Sequence, residues 1–367
     1  MKRWIGAGVL GLMALIFGKM LLFKDVPAPA EWMARQIESD FSSFVHKDGL
    51  SQKKIGEIAK DPAYDSCLFV HFTIRKNKVS IDHRIPQDHP LAKDCLYPRI
   101  RSIQNSLQQT VRKFPLPDMD FLVSIHDALM LPSEIPVFVM AKAAGFEGQV
   151  LIPDFEALRG RYQVLEGKDI TKDESIPCWE DKLGQLIWRG GPGQHAPAGY
   201  PVSLNPEEPH CLSRIKLCNL AMQHPEWIDA KFSYLEESYK TLSSYVGGFV
   251  PYESQILYKY QMQIDGYSCA YSTSGWKLFA NSLLFKEDSN HIQWYYNELK
   301  PYVHYIPVKE GLSNLLDQIQ WAIDHDQEAK QIAAQARSFA LSHITEDLNR
   351  VYLYHALLAY SRLNWVD

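Results

Sequence analysis

The sequence of 367 residues lacks several patterns that would by themselves assign a function. None of its cysteines forms a C-x-x-C pair, so the spacing typical of zinc ribbons and thioredoxin-like redox sites is absent. It has no internal repeat, no low-complexity tract, and no spacing of His, Cys and Glu that requires a metal. No long basic run occurs beyond the N-terminus and the net charge is −5, which together argue against nucleic acid as a partner.

The N-terminus differs in kind from the rest of the chain. After a basic start, residues 4–23 are apolar apart from Lys19, and a helix of this length can cross a hydrocarbon core of about 30 Å. The segment 28–30 is only weakly like a signal-peptide cleavage site, so we expect an uncleaved single-pass membrane anchor. If the following domain is exported, Cys67 and Cys95 could form a disulfide, although small buried thiols are an equal alternative.

The length of the chain predicts more than one hydrophobic core. Apolar runs of strand length alternate with helical patterns, which indicates an α/β protein with parallel or mixed sheets. A charged, irregular segment places the domain boundary near residues 165–183. We therefore expect an anchor and linker at 1–30, an α/β domain at 31–175, a second α/β domain at 176–340, and a terminal helix at 341–367 that packs back on the first domain.

The most informative stretch is residues 258–309. Apolar and polar residues alternate over 258–264, which predicts a half-buried strand, and the Asp265-Gly266 pair signals a turn after it. Further strands are predicted at 282–285 and 303–306. Because ligands of open α/β sheets bind beyond the carboxyl ends of strands, this stretch is either a ligand-binding edge or a buried core with solvated loops. The aromatic residues that follow, at 294–296, are more typical of core than of a sugar-stacking surface.

Two acidic patterns flank another predicted strand, at 121–125. Asp127 follows that strand, where a carboxylate could accept a proton from a hydroxyl group, although a turn acid or a helix cap has the same pattern. Asp118 and Asp120 form a D-x-D pair of the kind that binds divalent cations, but they precede the strand. We interpret this pair as a turn at the amino edge of the sheet, away from the usual position of ligands.

The segment 189–193, Arg-Gly-Gly-Pro-Gly, also follows a predicted strand. Glycines allow close approach of the backbone to a phosphate, and an arginine such as Arg189 can bind its oxygens with two donors. Residues 191–196 even fit the dinucleotide fingerprint G-x-G-x-x-A. That fingerprint needs a helix directly after it, and the prolines between 197 and 209 oppose one, so a dinucleotide-dependent oxidoreductase is the weaker alternative.

Several collinear motifs resemble one known family. They are K-Y-x-x-x-x-D-G at 259–266, S-L-x-F-K at 282–286, W-Y-Y-x-x-L-x-P at 294–301 and H-Y-I-P-V at 304–308. In this order they resemble the protein O-glucosyltransferase family, which also includes capsule-associated and lipopolysaccharide-modifying glycosyltransferases. The resemblance covers about two thirds of the chain and implies a GT-B architecture, in which two Rossmann-like domains face a cleft.

The resemblance also implies roles for individual residues. An aspartate after the same strand is the catalytic base in the family, which assigns that role to Asp127. The Trp-Arg-Gly motif that contains Arg189 and Gly190, together with Gly191, matches a loop that binds the nucleotide sugar. Arg214 lies in a similar segment and is either a second phosphate contact or a solvated helix arginine.

The turn at Asp265 and Gly266 leads into a departure from the family pattern. Many members carry an arginine there that contacts the donor diphosphate, whereas this chain has Ser272, Thr273 and Ser274. Hydroxyl and main-chain N–H groups of this segment could bind phosphate instead, or a nearby lysine, Lys277 or Lys286, could supply the charge.

The expected function is an inverting, metal-independent transfer of a sugar, glucose or xylose first, from a UDP-sugar to a hydroxyl of a protein, lipopolysaccharide or capsular glycan, with no cofactor. The absence of the family arginine motivates an alternative, a membrane-tethered nucleotide- or carbohydrate-binding protein without turnover. In either case the segment 4–23 would attach the chain to a membrane, with residues 1–3 in the cytoplasm. The side of the membrane stays open, because bacterial UDP-sugars are cytosolic whereas a secretory lumen would suit this orientation.

Overall fold

The computed structural model describes residues 26–45, 49–127, 133–194 and 201–366, without the side chains of residues 66, 67 and 272. The expected anchor at 4–23 lies outside these ranges. No helix within the described ranges is long and apolar enough to span a membrane.

The chain forms two compact units. The first comprises the described residues up to Arg159, together with Ile292–Glu298 and the chain from Glu346 onward. The second comprises Gly160–His291 and Leu299–Thr345.

Helices and strands alternate along most of the chain. The helices are α1 (Glu31–Phe41), α2 (Lys53–Lys60), α3 (Tyr97–Lys113), α4 (Ser213–Gln223), α5 (Tyr252–Gln255), α6 (Tyr271–Phe279), α7 (Leu315–Asp324), α8 (Asp326–His343) and α9 (Glu346–Ser361). The strands are β1 (Leu50–Ser51), β2 (Phe69–Arg75), β3 (Lys78–His83), β4 (Met119–Ser124), β5 (Val137–Val139), β6 (Lys142–Ala143), β7 (Gln149–Leu151), β8 (Val164–Leu165), β9 (Lys168–Asp169), β10 (Leu183–Gly190), β11 (Ile228–Phe232), β12 (Tyr258–Gln263), β13 (Leu283–Glu287), β14 (His291–Ile292), β15 (Ile306–Val308) and β16 (Trp365–Val366).

The first unit is built on a mixed five-stranded sheet with the order β3-β2-β4-β5-β7. Strands β2 and β3 form an antiparallel hairpin, β2 and β4 are antiparallel, and β4, β5 and β7 are parallel. Alternate residues of β2 are buried, which gives the sheet its apolar face. On that face Phe121 contacts Phe138 edge to face, with 5.5 Å between ring centroids, and Tyr360 of α9 packs on both rings.

The second unit is built on a parallel five-stranded sheet with the order β11-β10-β12-β13-β15. Numbered along the chain, these strands take the spatial order 2-1-3-4-5, which is a doubly wound arrangement. The order reverses between β10 and β12, and this is the topological switch point of the sheet. The core beneath the sheet includes Trp188, Phe232, Tyr260 and Phe285.

The α/β class with parallel and mixed sheets is confirmed, while the GT-B arrangement about a cleft stays a prediction. The first continuous segment of the first unit ends at Arg159, before the boundary expected near 165–183. The chain just beyond Arg159 belongs to the second unit, where Arg337 donates to the carbonyls of Ile170 and Thr171, at 2.8 Å each.

Two predictions for the stretch 258–309, one about a strand and one about the core, have different outcomes. The last strand is β15 at Ile306–Val308, later than the expected 303–306, and it contains Pro307. A proline is tolerated there because β15 lies at the edge of the sheet. The expected core position of residues 294–296 is confirmed, since all three side chains are buried and Trp294 lies 4.7 Å from the ring of Tyr352.

Candidate active site

The loops after β10 and β12 lie side by side in the second unit, because these two strands are neighbours. One loop carries Gly191 and Gly193, and the other carries Asp265 and Gly266. Both therefore start at the topological switch point, where doubly wound sheets bind their ligands. The structure thus brings together two segments that the sequence nominated separately.

Arg214, at the start of α4, ties the two loops to each other. Its Nη1 donates to the carbonyls of Gly191 (2.9 Å) and Gly193 (3.0 Å). Its Nε donates to the carbonyl of Asp265 (3.2 Å), and its Nη2 donates to that of Ile264 (3.3 Å). Burial lowers the pKa of Arg214 from its ordinary value, and the charge of Asp265 opposes that shift. Because its donors are used on main-chain carbonyls, Arg214 holds the shape of both loops.

The glycines after β10 make room for aromatic rings of this chain. A Cβ at Gly190 would lie 2.7 Å from the ring of Trp188, and a Cβ at Gly191 would lie 2.5 Å from the hydroxyl of Tyr234. Real Cβ atoms are not found so close to other heavy atoms. Close packing is therefore sufficient to explain why both positions are glycine, whether or not a phosphate approaches them.

The structure places Arg189 beside β11. Its Nη2 lies 2.7 Å from Oδ1 of Asp229, and its Nη1 donates to the main-chain carbonyl of the same residue at 2.8 Å. The other carboxylate oxygen of Asp229 accepts a hydrogen bond from Tyr258 at 3.0 Å. The guanidinium of Arg189 thus binds the neighbouring strand β11, whereas the guanidinium of Arg214 binds the loops after β10 and β12.

The segment expected to be a small-residue loop is the first turn of helix α6. The helix starts at Tyr271, the hydroxyl of Thr273 donates to the carbonyl of Ala270 at 2.5 Å, and Ser274 is buried. Serine and threonine favour helix starts because their hydroxyls bond to nearby main-chain groups. What such a turn offers to an anion is its main-chain N–H groups and the positive end of the helix dipole.

Two buried carboxyl groups follow β12 and end β13. Glu287 accepts hydrogen bonds from the hydroxyl of Ser213 and from the N–H of Gly311 (3.0 Å), and burial raises its pKa to about 7 despite these bonds. Burial also raises the pKa of Asp265, while the charge of Lys286 opposes the shift. The edge of this sheet therefore carries two carboxyl groups whose anionic forms burial disfavours.

The lysines considered as substitutes for the family arginine are engaged with the main chain. The ammonium of Lys277 donates to the carbonyl of Met262 at 2.7 Å, and burial lowers its pKa to about 7. Lys286 donates to the carbonyl of Glu287 at 3.3 Å. Both side chains are buried, so neither extends into solvent as a mobile charge.

In the first unit Asp127 follows β4, as expected, and an arginine holds its carboxylate. Nη1 of Arg99 lies 2.8 Å from Oδ1 of Asp127 and donates to the carbonyl of Ile125 at 2.9 Å. The guanidinium stacks on Phe155, with its carbon 4.6 Å from the ring centroid. Arg99 is 14% exposed and Asp127 is 36% exposed, so a fixed cation orients a carboxylate that solvent can reach.

A cavity of ≈ 500 Å³ opens in the first unit beside His126 and Asp127. Its lining is largely apolar, with Leu68 and Phe69 among the contacts, and the volume is in the range of small-molecule sites. Cys95 also lines it, and its thiol is free in this structure.

The D-x-D acids are structural. Asp118 accepts the N–H of Lys76 at 2.7 Å, and Asp120 accepts hydrogen bonds from His71 (2.9 Å) and Thr73 (3.1 Å) of β2. Asp120 belongs to β4 and not to a turn, but its use on a neighbouring strand agrees with a structural role. Across the described ranges, no cluster of three or more His, Cys, Asp or Glu residues is arranged to hold a metal ion.

The sequence did not nominate Arg99 or Glu287. Glu287 had a signal, because it ends a predicted strand in the same way that Asp265 follows one. Arg99 had none, because its partner Asp127 is distant along the chain and the pairing depends on how α3 packs on β4.

Comparison with known proteins places the chain in a family. The model of glycosyl transferase family 90 matches residues 31–366. Protein O-glucosyltransferase 2 of Danio rerio is 29% identical over 93% of this chain and 64% of its own length. Protein O-glucosyltransferase 3 of Homo sapiens is 26% identical over 89% of this chain and 61% of its own length, and protein O-glucosyltransferase 1 of Rattus norvegicus is 24% identical over 89% and 79%. The chain thus spans less than two thirds of the first two relatives. This match over nearly all of the described chain shows that the protein belongs to glycosyl transferase family 90.

Proposed function

We propose that this protein transfers a sugar from a UDP-sugar to a hydroxyl group of a protein. The observation that carries the proposal is the pair of loops that Arg214 joins at the switch point, in a chain that belongs to a glycosyltransferase family. The relatives are named protein O-glucosyltransferases, which supports glucose as the sugar and a protein as the acceptor. Xylose as the sugar, and lipopolysaccharide or capsular glycan as the acceptor, are the alternatives that the assays below distinguish.

The second unit would bind the donor. In this proposal the loops of Gly190, Gly191, Asp265 and Gly266 receive the nucleotide, and Arg214 keeps them in register. The N-terminal turn of α6, residues 272–274, would face the diphosphate with the positive end of the helix dipole, while the N–H of Thr273 donates to the carbonyl of Ala270 at 3.0 Å. Such fixed dipoles stabilise a leaving group without a metal, and each is typically worth about 10²–10³-fold in rate. Arg189 would act indirectly, by fixing the end of β10 to β11.

The first unit would supply the base. Asp127 takes the proton of the acceptor hydroxyl while the acceptor oxygen forms a bond to the anomeric carbon. The bond from that carbon to the phosphate oxygen breaks at the same time, and UDP leaves with the electron pair. A single displacement of this kind inverts the anomeric centre. A positioned general base typically contributes about 10²–10⁴-fold.

The test is a donor panel with product analysis. Purified protein is incubated with UDP-glucose, UDP-xylose and other UDP-sugars, with protein, lipopolysaccharide or capsular glycan as acceptor, and the products are identified by mass spectrometry. Asp127→Asn should lower transfer by about 10²–10⁴-fold and leave UDP binding unchanged, because the amide cannot accept the proton. Asp118→Asn is the matched control, since Asp118 lies at the amino end of the same strand. Transfer by Asp127→Asn at the wild-type rate would show that the base is another group.

A second candidate function is binding without turnover. The observation that favours it is the engagement of Arg189 and Lys277 with other groups of the chain, in a protein that has Ser272–Ser274 in place of the family arginine. Calorimetric binding of UDP, without turnover of any donor in the panel, would favour this candidate over the transferase.

We also propose that residues 4–23 attach the protein to a membrane. Deletion of residues 1–25 should move the protein from the membrane fraction to the soluble fraction. Protease protection of the full chain in intact vesicles would then report the side of the membrane.

A further inference from the structure

We propose that the carboxylate of Asp265 recognises a hydroxyl group of the bound donor, on either its ribose or its transferred sugar. This inference rests on the proposed function, because it assigns a part of the same donor to one residue. It differs from a phosphate contact, since a carboxylate repels phosphate and accepts hydrogen bonds from hydroxyl groups.

The first support is an unsatisfied buried atom. Asp265 is 9% exposed, and its Oδ2 has no hydrogen-bond partner among the residues that the structure describes. The hydroxyl of Ser289 hydrogen-bonds to the carboxyl group, but one oxygen remains an open acceptor. Buried acceptors are rarely left open in folded proteins, because the lost hydration is costly. A ligand hydroxyl would satisfy this oxygen.

The second support is the position of the residue. Asp265 follows β12 at the switch point, where doubly wound proteins bind their ligands. Arg214 holds the carbonyls of Ile264 and Asp265, so the main chain that carries the side chain is fixed before a ligand arrives. A Cβ at Gly266 would lie 2.9 Å from the guanidinium, so the next position must stay small for this arrangement to form.

The neighbouring carboxyl group, that of Glu287, differs from Asp265 in its hydrogen bonds. Glu287 is equally buried, but it accepts hydrogen bonds from Ser213 and Gly311, so the chain itself satisfies it. Burial raises the pKa of Asp265, and Lys286 and His291 oppose that rise, so they act in favour of its ionised, accepting form. At this edge of the sheet Glu287 is thus a structural acid, whereas Asp265 can accept a hydrogen bond from a ligand.

The experiment compares three ligands by calorimetry with the full-length protein. UDP, 2′-deoxy-UDP and UDP-glucose are titrated into wild type, Asp265→Asn and the control Asp288→Asn, which alters an exposed acid just beyond β13. If the ribose is recognised, wild type should bind UDP about tenfold or more tightly than 2′-deoxy-UDP. If the sugar is recognised, wild type should bind UDP-glucose more tightly than UDP. Asp265→Asn should remove the difference, and Asp288→Asn should retain it.

The outcomes separate this inference from the proposed function. Equal weakening of all three ligands in Asp265→Asn, or no preference in wild type, would overturn the assignment while the donor site stands. Failure of wild type to bind any of the three would overturn the proposed function and this inference with it. Should Asp265→Asn not fold, Asp265→Ser removes the carboxylate with less bulk and is read in the same way.

Discussion

The two units use buried cations in different ways. In the first unit these cations pair with carboxylates: Arg99 with Asp127 at 2.8 Å, and Lys142 with Asp40 at 2.6 Å. In the second unit Arg189 also pairs with a carboxylate, that of Asp229, but four other cations donate chiefly to main-chain carbonyls, namely Arg214, Lys182, Lys277 and Arg337. A cation paired with a carboxylate orients one side chain, whereas a cation that binds carbonyls fixes the course of the main chain.

The difference fits the chemistry proposed for each unit. A general base needs one oriented carboxylate, and Arg99 supplies that orientation to Asp127. A nucleotide-binding edge needs loops of defined shape, and Arg214 supplies that shape to two loops. Removal of a cation should therefore damage a side-chain function in the first unit and loop structure in the second.

The largest effect is expected from Arg214→Met. Each buried carbonyl left without a donor costs about 1–3 kcal/mol, and partial hydration recovers some of this, so the free energy of unfolding should fall by about 3–4 kcal/mol. UDP binding should be lost with it. Denaturant unfolding and calorimetry measure the two effects. Arg214→Lys, which keeps the charge but not the planar fork, should recover only part of either. An unchanged free energy of unfolding in Arg214→Met would contradict the proposed difference between the cations of the two units.

A pH effect is expected in the first unit. Burial lowers the pKa of His355 from 6.5 to about 4, although its hydrogen bond to the carbonyl of Pro27 opposes the shift. The unfolded chain binds this proton below pH 6.5 and the folded chain does not, so stability falls as pH falls, by about 3 kcal/mol at pH 4. His355→Gln should flatten this part of the profile of unfolding free energy against pH. His325→Gln, at an exposed position, should leave it as in wild type.

Arg99→Met should separate activity from stability. Without the cation the carboxylate of Asp127 is no longer held, and misplacement of about 1 Å can cost about 10²-fold in rate. The ion pair is partly exposed and contributes little, but the carbonyl of Ile125 also loses a donor, so the free energy of unfolding should fall by about 1–2 kcal/mol, less than in Arg214→Met. Steady-state kinetics should show a lower kcat with an unchanged KM for the donor. Arg99→Lys should restore part of kcat, and an unaffected kcat in Arg99→Met would show that the pair has no role in positioning.

The smallest effect is expected from Lys277→Met in the second unit. Burial lowers the pKa of Lys277 to about 7, with the charge of Arg214 adding to the shift. Above pH 7 the folded chain loses this proton before the unfolded chain does, so the free energy of unfolding rises with pH by about 1.4 kcal/mol per unit. In Lys277→Met the free energy of unfolding should no longer show this rise between pH 7 and 9. At pH 7 its value should differ from that of wild type by about 1 kcal/mol or less. Equal slopes in variant and wild type would show that the ammonium is not desolvated.

Part of the site could be predicted from local pattern. Asp127 and Asp265 each follow a strand that alternation or apolar runs predicted, so their positions at strand ends needed no tertiary information. Local pattern could not test the interpretation of Arg189 as a phosphate contact, because the pairing of Arg189 with Asp229 depends on which strand lies beside β10. The N-terminal turn of α6 was expected to be a loop, since serines and threonines are common both in loops and at helix starts.

The sequence by itself determined the α/β class, four of the five strands of the second sheet to within a few residues, and the family resemblance, because these depend on the local periodicity and order of motifs, whereas β11 was not predicted. The tertiary structure decided which charged groups meet: Arg99 with Asp127, and Arg214 with the carbonyls of two loops. Such pairings join residues far apart in the chain, and strand order, which local pattern does not specify, selects among the possible partners.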